Sequence, residues 1–164
     1  MKSPRRRWPA VVVAALAALG VATLGAQVTE LGPWYYALRK PAWQPPDWLF
    51  GPAWTLIFGL TAIAGVQAWT HAPDRAGRAR VLWLFALNAA LNVLWSVLFF
   101  RLHRPDWALF EVAFLWLSIV LLMVAFGSWS RWIVWLLMPY LAWVTFASAV
   151  NWAVVRLNGP FGGG

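Results

Sequence analysis

The sequence predicts an all-α integral membrane protein, a five-transmembrane-helix bundle whose Trp/Pro-rich first loop caps a ligand pocket. Three observations carry that prediction. The 164 residues are 62% hydrophobic and only 11% charged, against roughly 25% charged in an ordinary soluble domain. Five uncharged runs hold about 20 residues or more each, enough to cross a hydrocarbon core of about 30 Å. Between the first two runs lies PWYYALRKPAWQPPDWLFGPAW, Pro33 to Trp54, with five prolines, four tryptophans and two tyrosines. Irregular backbone cannot sit unpaired in lipid, so this stretch belongs at a water boundary. Pro41, Pro45 and Pro46 stiffen it into an extended path. Its tryptophans and tyrosines suit an interface where one ring edge is wet and the rest apolar.

Taken in order, the chain reads as a single domain over residues 1–164. Met1 to Arg7 is a basic head, and Lys2, Arg5, Arg6 and Arg7 suit an anionic lipid surface. The first span covers residues 8–29, 22 residues without a charge. That exceeds the ~7–15-residue apolar core of a cleaved signal peptide, so a retained helix is expected. The second span, 48–70, follows Asp47, which is placed to cap it, and Pro52 is tolerated near its first turn. Residues 71–80 read as a polar turn carrying three arginines. The third span is 81–100. Pro105-Asp106 suits the start of the fourth, 107–128. Its only charge is Glu111, read as a carboxylate stabilised by the helix dipole. The fifth, 132–155, ends at Arg156, and Pro139 is expected to kink it. Gly159 to Gly164 is expected to be a disordered tail.

The charges set an orientation and exclude several function classes. With the N-terminus inside, the inner side holds Lys2, Arg5, Arg6, Arg7, Arg75, Arg78, Arg80 and Arg131. The outer side holds Arg39, Lys40, Arg101, Arg104 and Arg156. This bias favours N-in, C-out, with the aromatic loop outside. The net charge of +8 forms no basic stripe on a soluble fold, so no nucleic-acid partner is expected. With no cysteine, disulfides, thiolate chemistry and thioether haem attachment are excluded. His71 and His103 fall in different turns and make no haem-ligand pair. The chain shows no metal cluster, no phosphate loop and no nucleophile with its base; the catalytic and metal assignments are therefore none. The spans carry no central ionisable residue, which argues against an ion-coupled transporter.

Polar and aromatic stripes mark three spans. Asn88, Asn92, Trp95 and Phe99 recur at steps of four, three and four, on one helix face. Amide side chains in a membrane helix turn from lipid toward a partner helix or a cavity. The second span shows Trp54, Phe58, Thr61 and Gly65, and the fifth shows Tyr140, Trp143, Ala147 and Asn151. Singly, each stripe is more often bundle packing. Together with the aromatic loop, they point to a pocket for a flat hydrophobic molecule.

These residues resemble the tryptophan-rich sensory protein (TspO/MBR) family, which includes the mitochondrial translocator proteins, or peripheral-type benzodiazepine receptors. The resemblance rests on Pro33-Trp34-Tyr35, Lys40-Pro41-Ala42-Trp43-Gln44-Pro45-Pro46 and Phe50-Gly51-Pro52-Ala53-Trp54-Thr55. Asn92-Val93-Leu94-Trp95-Ser96 with Phe99-Phe100, and Pro139-Tyr140-Leu141-Ala142-Trp143-Val144, complete it. It implies a five-helix bundle, commonly a homodimer, whose first loop closes over a pocket. The ligands it implies are porphyrins and haem-related tetrapyrroles such as protoporphyrin IX or haem, with no resident cofactor; lipid or sterol is a further candidate. Mitochondrial members also bind cholesterol and synthetic isoquinoline or benzodiazepine ligands. Carried over residue by residue, the ligand-binding positions are Tyr35, Pro46, Trp54, Phe58, Asn88, Asn92, Trp143 and Ala147. Trp54 and Trp143 are expected to sandwich the ring, with Tyr35 and Pro46 as the lid. In the family's sterol motif a tyrosine stands where this chain has Trp152, which puts sterol binding there in doubt.

The implied function is a membrane tetrapyrrole-binding protein that senses or moves its ligand, in a bacterial cell-envelope membrane. Two alternatives belong to other classes: light- or oxygen-dependent porphyrin breakdown using the tryptophans, and a lipid- or sterol-holding structural or adaptor role. Dimerisation is expected on the small face Ala86, Ala89 and Ala90, although small residues also pack helices within one bundle.

Overall fold

A computed structural model of the chain describes residues 8–161. The basic head at Lys2, Arg5, Arg6 and Arg7 lies outside the described residues, as do Gly162, Gly163 and Gly164. The described elements are α1 (Trp8–Val28), a short α2 (Pro33–Ala37), a 3-10 turn (Asp47–Leu49) and α3 (Phe50–His71). They continue with α4 (Arg75–Ser96), a π turn (Val97–Arg101), α5 (Pro105–Gly127) and α6 (Arg131–Asn158). No strand occurs among the described residues. Five of the helices are long and apolar enough to cross a membrane. A helix satisfies its own backbone, which is why each uncharged run takes that form.

The bundle's core lies along α5 and α6. Leu115, Ile119, Leu122 and Phe126 of α5 meet Ile133, Leu137, Tyr140 and Val144 of α6, with Ile57 and Ala64 of α3 filling the seam. The helix α1 is different. It packs on α3 and α4, yet none of its residues is buried. A peripheral helix of small residues held this way leaves room behind it.

Several local expectations change. Arg75, Arg78 and Arg80 lie within α4, not in a turn. Asp74 caps that helix, its carboxylate accepting the Gly77 N–H at 2.7 Å, so the helix starts six residues before the uncharged run. Asp47 does not cap α3: that helix begins after Leu49 with no side-chain cap, and Asp47 accepts a hydrogen bond from Tyr35 instead. Glu111 lies beyond the first turn of α5, where Asp106 is the acidic residue. Glu111 is 5% exposed, and neither carboxylate oxygen has a hydrogen-bond partner.

The proline-rich loop is held at several points. The Tyr35 hydroxyl donates to Asp47 Oδ1 at 2.7 Å and accepts from Gln44 Nε2 at 3.2 Å. Lys40 Nζ sits 3.6 Å over the Tyr35 ring. At the end of α6, Asn158 reads the Arg39 backbone from both sides: Oδ1 accepts its N–H at 2.7 Å, and Nδ2 donates to its carbonyl at 2.8 Å. Trp34 stacks on His103 at 4.2 Å, and Trp43 meets Phe146 edge to face. The loop is thereby fastened to α6 and to the turn before α5.

Candidate functional site

Five polar side chains are buried between the spans. Asn88 Nδ2 donates to Ser118 Oγ at 2.8 Å, joining α4 to α5. Asn92 Nδ2 donates to the Tyr140 hydroxyl at 3.1 Å, joining α4 to α6. Ser118 Oγ donates to the Leu115 carbonyl at 2.7 Å. Asn151, in the amide orientation that suits its neighbours, donates to the Pro105 carbonyl and accepts from the Leu109 N–H. In lipid such bonds are worth roughly 1 kcal/mol apiece, enough to fix helix rotation. The amides of α4 are therefore both interhelical bonds and candidate ligand contacts.

Two cavities flank this polar seam. The larger, about 530 Å³, lies between α1, α3 and α4. Its α1 wall is Ala10, Val13, Ala14, Ala17, Ala18 and Val21, and its inner end reaches Asn88, Asn92 and Tyr140. Thr61 also lines it, and the Thr61 hydroxyl is buried with no partner among the described residues. Trp69 and Val81 line the opposite end, where α3 finishes and α4 begins. The smaller cavity, about 50 Å³, lies beneath the proline-rich loop and is lined by Tyr35, Phe50, Phe99, Ala147 and Val154 among others.

The eight expected ligand positions divide between these places. Phe58, Asn88 and Asn92 line the large cavity. Tyr35 and Ala147 line the small one. Trp54 and Trp143 line neither: they stand edge to face, with ring centres 6.5 Å apart and planes at 82°. Trp54 stacks on Phe58 and touches Tyr140, while Phe50 packs on Trp143. An aromatic partition thus separates the cavities, and two rings at right angles leave no parallel slot for a third. Pro46 is exposed and precedes the 3-10 turn.

Sequence reasoning missed the α1 wall. Its signal was present in Ala10, Ala14, Ala17 and Val21, at steps of four, three and four, but alanines on a membrane helix mark close packing as often as a cavity. Ala86 and Ala89, two residues of the expected dimer face, line the same cavity from the α4 side. Gly65 completes it: a methyl there would lie 3.7 Å from the Phe85 ring, in ordinary contact.

At the loop end, burial and then the bond to Asp47 push the Tyr35 hydroxyl above the ordinary phenol value. It remains a neutral donor through physiological pH. No group of three or more His, Asp or Glu suited to a metal occurs among the described residues.

A family model described as TspO/MBR matches residues 10–157. The chain is 43% identical over 130 residues to the tryptophan-rich protein TspO of Chlorobaculum tepidum, covering 76% of this chain and 80% of that one. It is 37% identical over 150 residues to the tryptophan-rich protein TspO of Archaeoglobus fulgidus, covering 90% and 96%. It is 33% identical over 132 residues to the human translocator protein, covering 80% and 78%.

Proposed function

Because the chain belongs to the TspO/MBR family, we propose that this multi-pass membrane protein binds tetrapyrroles and senses or carries them. The observation that carries the proposal is the cavity of about 530 Å³ between α1, α3 and α4. Its volume lies within the roughly 300–1,000 Å³ of small-molecule sites, and an apolar wall with a few polar groups is their usual lining. A flat macrocycle lies against Phe58 and Phe85, and Asn88, Asn92 and Thr61 offer hydrogen bonds to its polar centre. Trp54 stacks behind Phe58 and holds that ring in place. The small cavity beneath the loop has too little volume for a macrocycle. In this proposal the loop acts as a cover that keeps water from the aromatic partition.

Quenching of tryptophan fluorescence by protoporphyrin IX, in detergent and in the dark, tests this. Trp69 lines the cavity, so bound porphyrin is expected to quench saturably. Gly65→Leu, whose side chain enters the cavity toward Phe85, is expected to weaken binding at least about tenfold, equivalent to 1.4 kcal/mol. Linear quenching, shared with an unrelated membrane protein, means partitioning into micelles and removes the proposal.

A further inference from the structure

On α4, Arg78 stands one turn before Val81 and Leu82, which line the end of the cavity away from the loop. Trp69 lines that end, and the Arg78 guanidinium carbon lies 5.2 Å from the centre of its ring. Arg78 Nε is buried with no hydrogen-bond partner. Neither ion pair among the described residues includes Arg78. Asp74, one turn earlier, is committed to the Gly77 N–H. A guanidinium N–H withdrawn from water without an acceptor is unfavourable, and its planar fork matches a carboxylate. The Trp69 ring attracts that cation and holds it next to a residue that lines the cavity. The cavity thus has neutral amides and hydroxyls in mid-bundle, and a cation stands beside the Trp69 ring at its far end.

We infer that Arg78 receives the acid side chains of the ligand, so that the site takes a tetrapyrrole carrying free carboxylates, oriented with those groups toward Trp69 and Arg78. This rests on the tetrapyrrole reading and adds to it a required anionic group and an orientation in the cavity. Arg78 and Asn88 are ten residues apart on α4, about 15 Å along its axis. That distance lets a macrocycle reach the amides while its extended acid groups remain at the Trp69 end. Arg75 and Arg80 lie on the same helix end but are exposed. They contribute a diffuse field where Arg78 makes a directed contact.

The experiment compares protoporphyrin IX with its dimethyl ester, which keeps the ring and loses the anions. Binding to wild type, Arg78→Gln and Arg80→Gln is read by quenching in neutral detergent micelles without phospholipid, so that no lipid phosphate competes for the arginine. We expect Arg78→Gln to weaken the diacid about tenfold and to leave the diester unchanged, which also shows that the fold survives. Arg80→Gln is expected to resemble wild type with both ligands. The inference is overturned if Arg78→Gln leaves the diacid unaffected, weakens both ligands alike, or is matched by Arg80→Gln. If wild type saturates with neither ligand, the tetrapyrrole reading itself fails; if it saturates with both and Arg78 is indifferent, only the carboxylate contact fails.

Discussion

Tyr35 shows how much of the loop's order rests on one side chain. Its hydroxyl bonds Asp47 and Gln44, its ring lies under Lys40, and its other neighbours include Phe100. Tyr35→Phe keeps the ring and leaves the Asp47 carboxylate without its donor, at a cost of about 1–2 kcal/mol. We expect faster proteolysis within residues 38–46 and a lower thermal midpoint in detergent, with the five helices intact by circular dichroism. The pH dependence has a definite sign. The folded state holds the Tyr35 proton above the unfolded value of 10.0, so the contribution of this hydroxyl is complete below about pH 10 and is lost as pH rises beyond it. Wild type and Tyr35→Phe are therefore expected to differ in stability at pH 8 and to converge above pH 10; a constant difference would remove Tyr35 from this role. The sequence marked Tyr35 and Asp47 separately but gave no sign that they bond. Twelve residues of proline-rich chain separate them, and only the folded loop brings them within 2.7 Å.

At the scale of elements, packing decides details that periodicity leaves free. Gly127 ends α5, and a methyl there would lie 2.9 Å from Val134 Cγ2 of α6. Gly127→Ala is expected to cost about 1–3 kcal/mol by overpacking. Val134→Ala in the same chain should restore most of it, since the clash is with that one branch, and a double-mutant cycle on thermal stability measures the coupling. Without rescue, the glycine is required by the backbone and not by Val134. The start of α4 lies earlier than the uncharged run suggests, because its charged first turns resemble a polar turn in sequence. Asp74 supplies the cap that lets the arginines join the helix, and long basic side chains reach water from there. The π turn Val97–Arg101, closed by Leu102 N–H to the Val97 carbonyl at 3.0 Å, had no sequence signal. It follows Trp95 and helps set Phe99 and Phe100 against the loop side chains Trp34 and Tyr35.

For the whole molecule, the arrangement of charges predicts which end faces the cell interior. Ala76 and Leu102 flank the third span, and both are exposed. The chain has no cysteine, so single cysteines can be introduced without background. Leu102→Cys is expected to react with an impermeant maleimide on intact cells, and Ala76→Cys only after permeabilisation; the reverse pattern would invert the orientation. Composition and the uncharged runs by themselves determined the membrane class, the count of five spans and the position of the aromatic loop, because lipid admits so few backbone structures. Helical spacing also found the faces bearing Phe58, Thr61, Gly65, Asn88, Asn92 and Tyr140, all of which line one cavity. Only the tertiary structure decided where that cavity lies and what closes it. It depends on how α1 packs across α3 and α4 and on Trp54 and Trp143 turning edge to face, and both are properties of packing between helices. A one-helix periodicity carries the face a residue occupies, but not the distance to the helix opposite.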